Sequence, residues 1–401
     1  MVNGKRGRFN FLNLYYLYGL DKKKENGRQG DWDEWETGMV YRKINKGMWK
    51  RFVFVICLLC MIPTLLAQEY RWRVGVDYFF DNREYKHSSL TDPQTMHGVW
   101  FNTLGGVSWD STHTIYAGVD LLRKTGTKKT IDKTDIIIYY QYRKPKTLFQ
   151  VGTFPRNEVL PNYSDFFFED SVTYFKPLIQ GVFFQLGSDR NFFNAWMDWT
   201  GYATSTNRES FFLGFSGKAS KKILFADFQS YLYHYAGTLP ANPDYGVSEQ
   251  MQIMASAGLE RKEPDSFKWL LSAGVFAGVE RDRKAEETYK PVGFVARADA
   301  EFYGIGTETR FYTGDARMRL FPRYGGDLYW GTPFLRGSSY LQSKWYIRLL
   351  ESNRVSARVN CNIHVSEGKV LLQQTLSVTA NISNFSNPKK KESHIWTNIF
   401  R

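Results

Sequence analysis

Three groups of residues have the types and spacing to do chemistry together. One long segment carries Arg156, Glu158, Asp165, Glu169 and Asp170 among Phe166–Phe168, Tyr174 and Phe175. A second carries Asp315, Arg317, Arg319, Arg323, Asp327 and Arg336 among Phe321, Tyr324, Trp330 and Phe334. A third lies on strand-like stretches: Arg297, Asp299, Glu301, Arg310, Lys344, Arg348, Arg354 and Arg358. Acidic and basic groups facing each other across water set up a transverse field, which sorts solutes by charge and size. The plainer alternative is that such charges only solvate an interior and neutralise one another.

Covalent chemistry finds less support. A Ser–His pair needs a nucleophile beside an oriented base. His364 lies two residues from Ser366 at a strand end, which does not make a triad. His87, Asp92 and His97 share one connection without a diagnostic spacing. No metal-ligand spacing and no phosphate-binding glycine loop is present. The sequence therefore predicts no enzymatic activity, no metal and no cofactor.

The elements that would position these charges read as β-strands. Tyr70, Trp72, Val74, Val76, Tyr78 and Phe80 alternate with Arg71, Arg73, Gly75 and Asp77. Val292, Phe294, Ala296, Ala298, Ala300 and Phe302 alternate with Arg297, Asp299 and Glu301, and Val355 to Val365 alternates likewise with Arg354, Arg358 and His364. A period of two puts the sets on opposite faces of a sheet. Each segment runs about ten residues, enough for a tilted strand to cross a bilayer. About sixteen such strands fit between 70 and 382, although 98–108 alternates poorly and 222–233 is apolar on both faces.

The connections alternate in length. Tight polar turns fall at 110–112, 144–146, 188–190, 218–221, 261–266, 303–304 and 350–353. The intervening connections at 81–97, 123–133, 155–179, 201–207, 234–248, 280–290 and 314–338 are longer, and only 366–368 is short. A sandwich has no reason for this parity; a membrane-spanning barrel does. The predicted fold is all-β: a transmembrane antiparallel up-and-down β-barrel over 68–382, with 383–401 as a C-terminal tail or final strand.

Upstream, Met48-Trp49-Lys50-Arg51 precede an apolar run, Phe52 to Leu66, and then Ala67. A basic start, an apolar stretch of this length and a small residue make a signal peptide over 48–67 of the Sec type. Residues 1–47 are read as a non-native extension before the true start at Met48. Residues 1–67 hold 12 basic and 6 acidic side chains, so the formal charge falls from +13 to +7 without them. That mild charge, on an exported chain, excludes nucleic acid as a partner. Cys57 and Cys60 would leave with the signal, so Cys361 has no disulfide partner.

At the two long loops the chain resembles the porin-like outer-membrane barrels of Gram-negative bacteria. The likeness is carried by Pro155-Arg156, by Asp170-Ser171…Tyr174-Phe175-Lys176-Pro177…Gly181, and by Tyr324-Gly325-Gly326…Trp330-Gly331-Thr332-Pro333-Phe334-Leu335-Arg336. In such proteins the third loop narrows the lumen, with acidic loop groups facing basic wall groups. The resemblance implies an outer-membrane channel for passive passage of small polar solutes, as a monomer or homo-trimer in outer-membrane lipid. Residues 155–179 would be its constriction, and Arg156, Glu158, Asp165, Glu169, Asp170, Arg297, Asp299, Glu301, Arg310, Lys344, Arg348, Arg354 and Arg358 would line it. The alternative is a non-channel barrel that binds a glycan or partner protein through its extracellular loops, which a lumen plugged by Phe166–Phe168 and 314–338 would favour.

Overall fold

The structure is a computed structural model that describes residues 69–161, 163–262, 267–385 and 393–394. The proposed signal peptide and most of the C-terminal tail lie outside the described residues. Sixteen long strands form the barrel wall. In chain order they are β1 (Glu69–Glu84), β2 (Gln94–Ser108), β3 (His113–Lys124), β4 (Lys133–Lys144), β5 (Thr147–Pro155), β6 (Leu178–Ser188), β7 (Asn191–Gly201) and β8 (Ser210–Lys221). There follow β9 (Leu224–Tyr235), β10 (Ser248–Arg261), β11 (Phe267–Asp282), β12 (Val292–Phe302), β13 (Ile305–Gly314), β14 (Ser339–Glu351), β15 (Val355–Ser366) and β16 (Lys369–Ser383). Each strand pairs antiparallel with its sequence neighbours, and β16 returns to β1 from Arg73↔Ser383 to Glu84↔Leu372. The sheet is therefore closed. Closure is completed by Lys369–Ser383, while Ser393–His394 adds only a two-residue pairing beside Glu351.

Side-chain alternation follows the predicted faces. Tyr70, Trp72, Val74 and Val76 are exposed outward, whereas Gly75, Phe79, Asp81 and Arg83 are buried inward. Ile136 and Ile138 of β4 lie outward and exposed, while Ile137 and Tyr139 between them are buried. Cys361 faces outward too. Short turns such as Tyr303–Gly304 close one end, and the long connections gather at the other.

Two predicted irregularities have physical causes. In β9 the inward residues Phe225, Tyr231 and Tyr233 are apolar because they pack inside the barrel, so both faces read as hydrophobic. In β2 the chain needs Gly106 beside the Tyr116 ring; a Cβ there would lie 2.6 Å from it. Arg354 is a correction. The sequence pattern put it on the inward face of a strand, but it sits exposed in the turn before Val355, because the β14–β15 hairpin closes one residue later than the alternation suggests.

The outward belt makes a direct prediction. Ile138→Arg puts an unpaired cation among lipid-facing side chains. It should destabilise the folded barrel by about 2–4 kcal/mol if the residue lies near the bilayer midplane. Urea titration in lipid vesicles measures this.

Candidate functional site

The lumen is not an open tube. The β5–β6 connection carries two short helices, α1 (Arg156–Val159) and α2 (Asp170–Phe175), and turns inward. The β13–β14 connection, 315–338, turns inward beside it. Phe166, Phe167, Phe168, Leu328, Trp330, Phe334 and Leu335 are all buried, against Phe154, Trp196, Phe212, Phe276 and Tyr312 of the wall. Glu169 N donates to Trp330 O at 2.8 Å and Thr332 N to Asp165 O at 3.0 Å, so the two loops form one plug. Gly331 permits this approach: a Cβ there would stand 2.1 Å from Phe166 O.

Ion pairs fix the plug to the wall. Asp165 meets Arg310 at 3.0 Å, Glu169 meets Arg83 at 3.4 Å, and Asp170 meets Lys344 at 3.8 Å. Burial alone would raise the Asp165 carboxyl, but Arg310 and then Lys344 hold it down at about 2. His364, buried within the same packing, contacts Tyr340 Oη at 2.7 Å and Gln373 at 3.1 Å.

The remaining charged residues predicted from sequence are placed as follows. Arg156 pairs with Asp198 at 2.5 Å and Glu158 with Arg73 at 2.6 Å. Arg297 pairs with Asp299, Glu301 with Arg348, and Arg358 with Glu308, at 2.5, 2.5 and 2.9 Å. The wall charges are thus largely neutralised in pairs. Cavities remain on both sides of the plug: about 850 Å³ toward the long loops, and about 290 Å³ toward the short turns, near Lys218, Asp227 and Glu260.

A second constellation lies on the outside of the barrel. At the long-loop end, strand register aligns Trp199, Phe211, His234, Glu249 and Arg281 in one outward row across β7 to β11. One step down each strand the row is Met197, Leu213, Leu232, Met251 and Val279. The upper row therefore marks the edge of the apolar belt. Phe211 stacks on the His234 ring at 4.9 Å, and Trp199 on Phe211 at 5.2 Å. His234 Nδ1 faces Glu249 Oε1 at 3.4 Å. Arg283 donates from Nη2 to Glu249 Oε1 at 2.6 Å and from Nε to Oε2 at 3.2 Å, which holds the carboxylate still. Sequence reasoning missed this site. His234 and Glu249 are fifteen residues apart, and only the pairing around the 236–247 connection brings them face to face.

The family model described as Lipid A 3'-O-deacylase-type matches residues 63–385. The chain belongs to that family. An enzyme family overturns the expectation of no enzymatic activity. That expectation tested only residues close in sequence, and a barrel assembles its groups through strand register. No curated protein matches the chain. Among solved structures, it is similar to a loop-deletion mutant of OmpT, an outer-membrane protein of Vibrio cholerae, at 8% identity and TM-score 0.48, covering 79% of this chain and 100% of that one. OpdL of Pseudomonas aeruginosa is similar at 11% identity and TM-score 0.48, covering 79% and 99%. OmpF of Salmonella typhi is similar at 7% identity and TM-score 0.44, covering 79% and 97%.

The plug's anchoring makes a pH prediction. Asp165 is lowered from 3.8 in the unfolded chain to about 2. The stabilisation it gives is complete above the unfolded value and is lost as pH falls through the folded one. Planar-bilayer current should therefore stay unchanged from pH 7 to 4, and acid opening should begin only below that. Gly331→Ala, which forces the loops apart, should raise leak current at neutral pH.

Proposed function

We propose that this barrel works in the outer membrane of a Gram-negative bacterium, reached through the signal peptide at 48–67. There it hydrolyses an ester-linked acyl chain of a lipid A-type glycolipid at its lipid-facing rim. The observation that carries this is the position of the His234–Glu249 pair: on the outward face, one residue pair above the apolar belt. Acyl esters of a membrane lipid lie at the same height, where hydrocarbon gives way to headgroup. A lumen site would be out of their reach.

The chemistry follows from the groups present. Glu249 accepts the Nδ1–H of His234, which leaves Nε2 as a base. Nε2 takes a proton from water as the water oxygen attacks the ester carbonyl. The negative charge on the carbonyl oxygen is met by Arg281, which is exposed beside Glu249. The C–O bond to the sugar then breaks, and the proton on His234 passes to the leaving alkoxide, giving a fatty acid and a free sugar hydroxyl. Arg281 and Arg283 also suit the anionic headgroup of such a lipid.

Mass spectrometry of lipid A extracted from cells expressing the protein tests this. The wild type should remove one ester-linked chain. His234→Ala should lower turnover at least 100-fold, and Glu249→Gln at least tenfold, in the range for losing a general base or its orienting partner. His97→Ala, at another outward position, should have no effect. No loss of acyl chain with the wild type, or full activity in His234→Ala, would reject the assignment.

Passive passage of small polar solutes is the second reading, and the polar cavities on either side of the plug favour it. Residues 155–179 are then the constriction, with Arg156, Glu158, Asp165, Glu169 and Asp170 on it. On this reading the intact protein shows small, rare conductance events in planar bilayers, and deletion of 160–170 gives large, stable ones.

A further inference from the structure

The cavity above the plug has a chemistry that lipid hydrolysis at the rim does not use. It opens among the long connections and is floored by Trp330. Lys176 holds its ammonium 3.6 Å over the Trp330 ring. The Arg208 guanidinium lies 3.8 Å over Tyr235 and 5.0 Å from the Tyr245 ring. Arg208 donates to the carbonyls of Ala236 and Gly246 at 2.6 and 2.7 Å. Among the described residues neither cation has a carboxylate within 4 Å. By contrast, the lumen cations Arg156, Arg310, Lys344 and Arg348 each meet a carboxylate. Arg156, 5% exposed and also lining the cavity, leaves Nη1 without a hydrogen-bond partner.

Aromatic faces hold flexible cations at fixed positions and lower the entropy lost when a ligand binds. The cavity lining carries five cations against four carboxylates, Asp135, Asp198, Asp244 and Asp327, and the two cations with no acid in contact leave a small positive excess that favours an anion. At about 850 Å³ the cavity lies in the range of organic ligand sites and far exceeds what a bare inorganic anion fills. The walls add the amide of Asn207 and the hydroxyls of Thr206 and Ser210, partners for sugar hydroxyls. We propose that this vestibule binds an anionic saccharide, carrying carboxylate or phosphate groups, taken from the extracellular side. The site is independent of the rim chemistry at His234.

Isothermal titration of the full-length protein, folded in detergent micelles, tests this with trigalacturonate and neutral galactotriose as probes. Trigalacturonate should bind at least tenfold more tightly than galactotriose. Lys176→Gln and Arg208→Gln should each weaken trigalacturonate at least fivefold and leave galactotriose unchanged. Lys262→Gln, at the short-turn end, should change neither. Asn207→Ala, which leaves both cations in place, should weaken both sugars and so reports on the site if a cation variant fails to fold. Equal affinity for the two sugars, no binding of trigalacturonate, or full affinity in Lys176→Gln would overturn the proposal.

Discussion

Hydrocarbon offers no water to an unpaired N–H or C=O, so a strand in a bilayer must find a partner along both edges. The remainder of this structure depends on that constraint. It requires β16 to come back to β1, which the twelve-residue register from Arg73↔Ser383 to Glu84↔Leu372 achieves. Closure then gives every strand one face toward lipid and one toward the lumen. A period of two in the sequence becomes a division between two solvents.

Much of this was legible before any coordinates. Alternation in β1, β12 and β15 marks the faces, and the parity of short and long connections marks the two ends. The exceptions arise where a third environment intervenes. In β9, Tyr231 and Tyr233 point inward yet are apolar because their neighbours are plug side chains, not water. Local pattern cannot show this, since the plug comes from connections 156–177 and 315–338, distant in sequence. Arg354 was misplaced for a simpler reason: a turn boundary moved by one residue exchanges wall for solvent.

The plug shows how a barrel gives up openness for order. Asp165, Glu169 and Asp170 each meet a wall cation, and the aromatic residues beside them fill the cross-section. A buried pair stabilises little relative to an apolar contact but penalises the loss of either partner strongly. The pairs thus specify where the loops dock, while Phe166–Phe168 and Trp330 supply the burial. The candidate site, by contrast, was not legible. His234 and Glu249 gain meaning only when the hairpin register sets them opposite and the row beneath them proves apolar. The family match and this placement together turn attention from the lumen to the outer surface.

Cysteine scanning along β4, in a background without native cysteines, tests the central division most directly. Residues 136–140 would each be labelled with a water-soluble and with a lipid-soluble thiol reagent. A closed, plugged barrel predicts that positions 136 and 138 react only with the lipid-soluble reagent, and that 137 and 139 are protected from both. Ready labelling of 137 and 139 by the water-soluble reagent would show an open aqueous lumen and contradict the account.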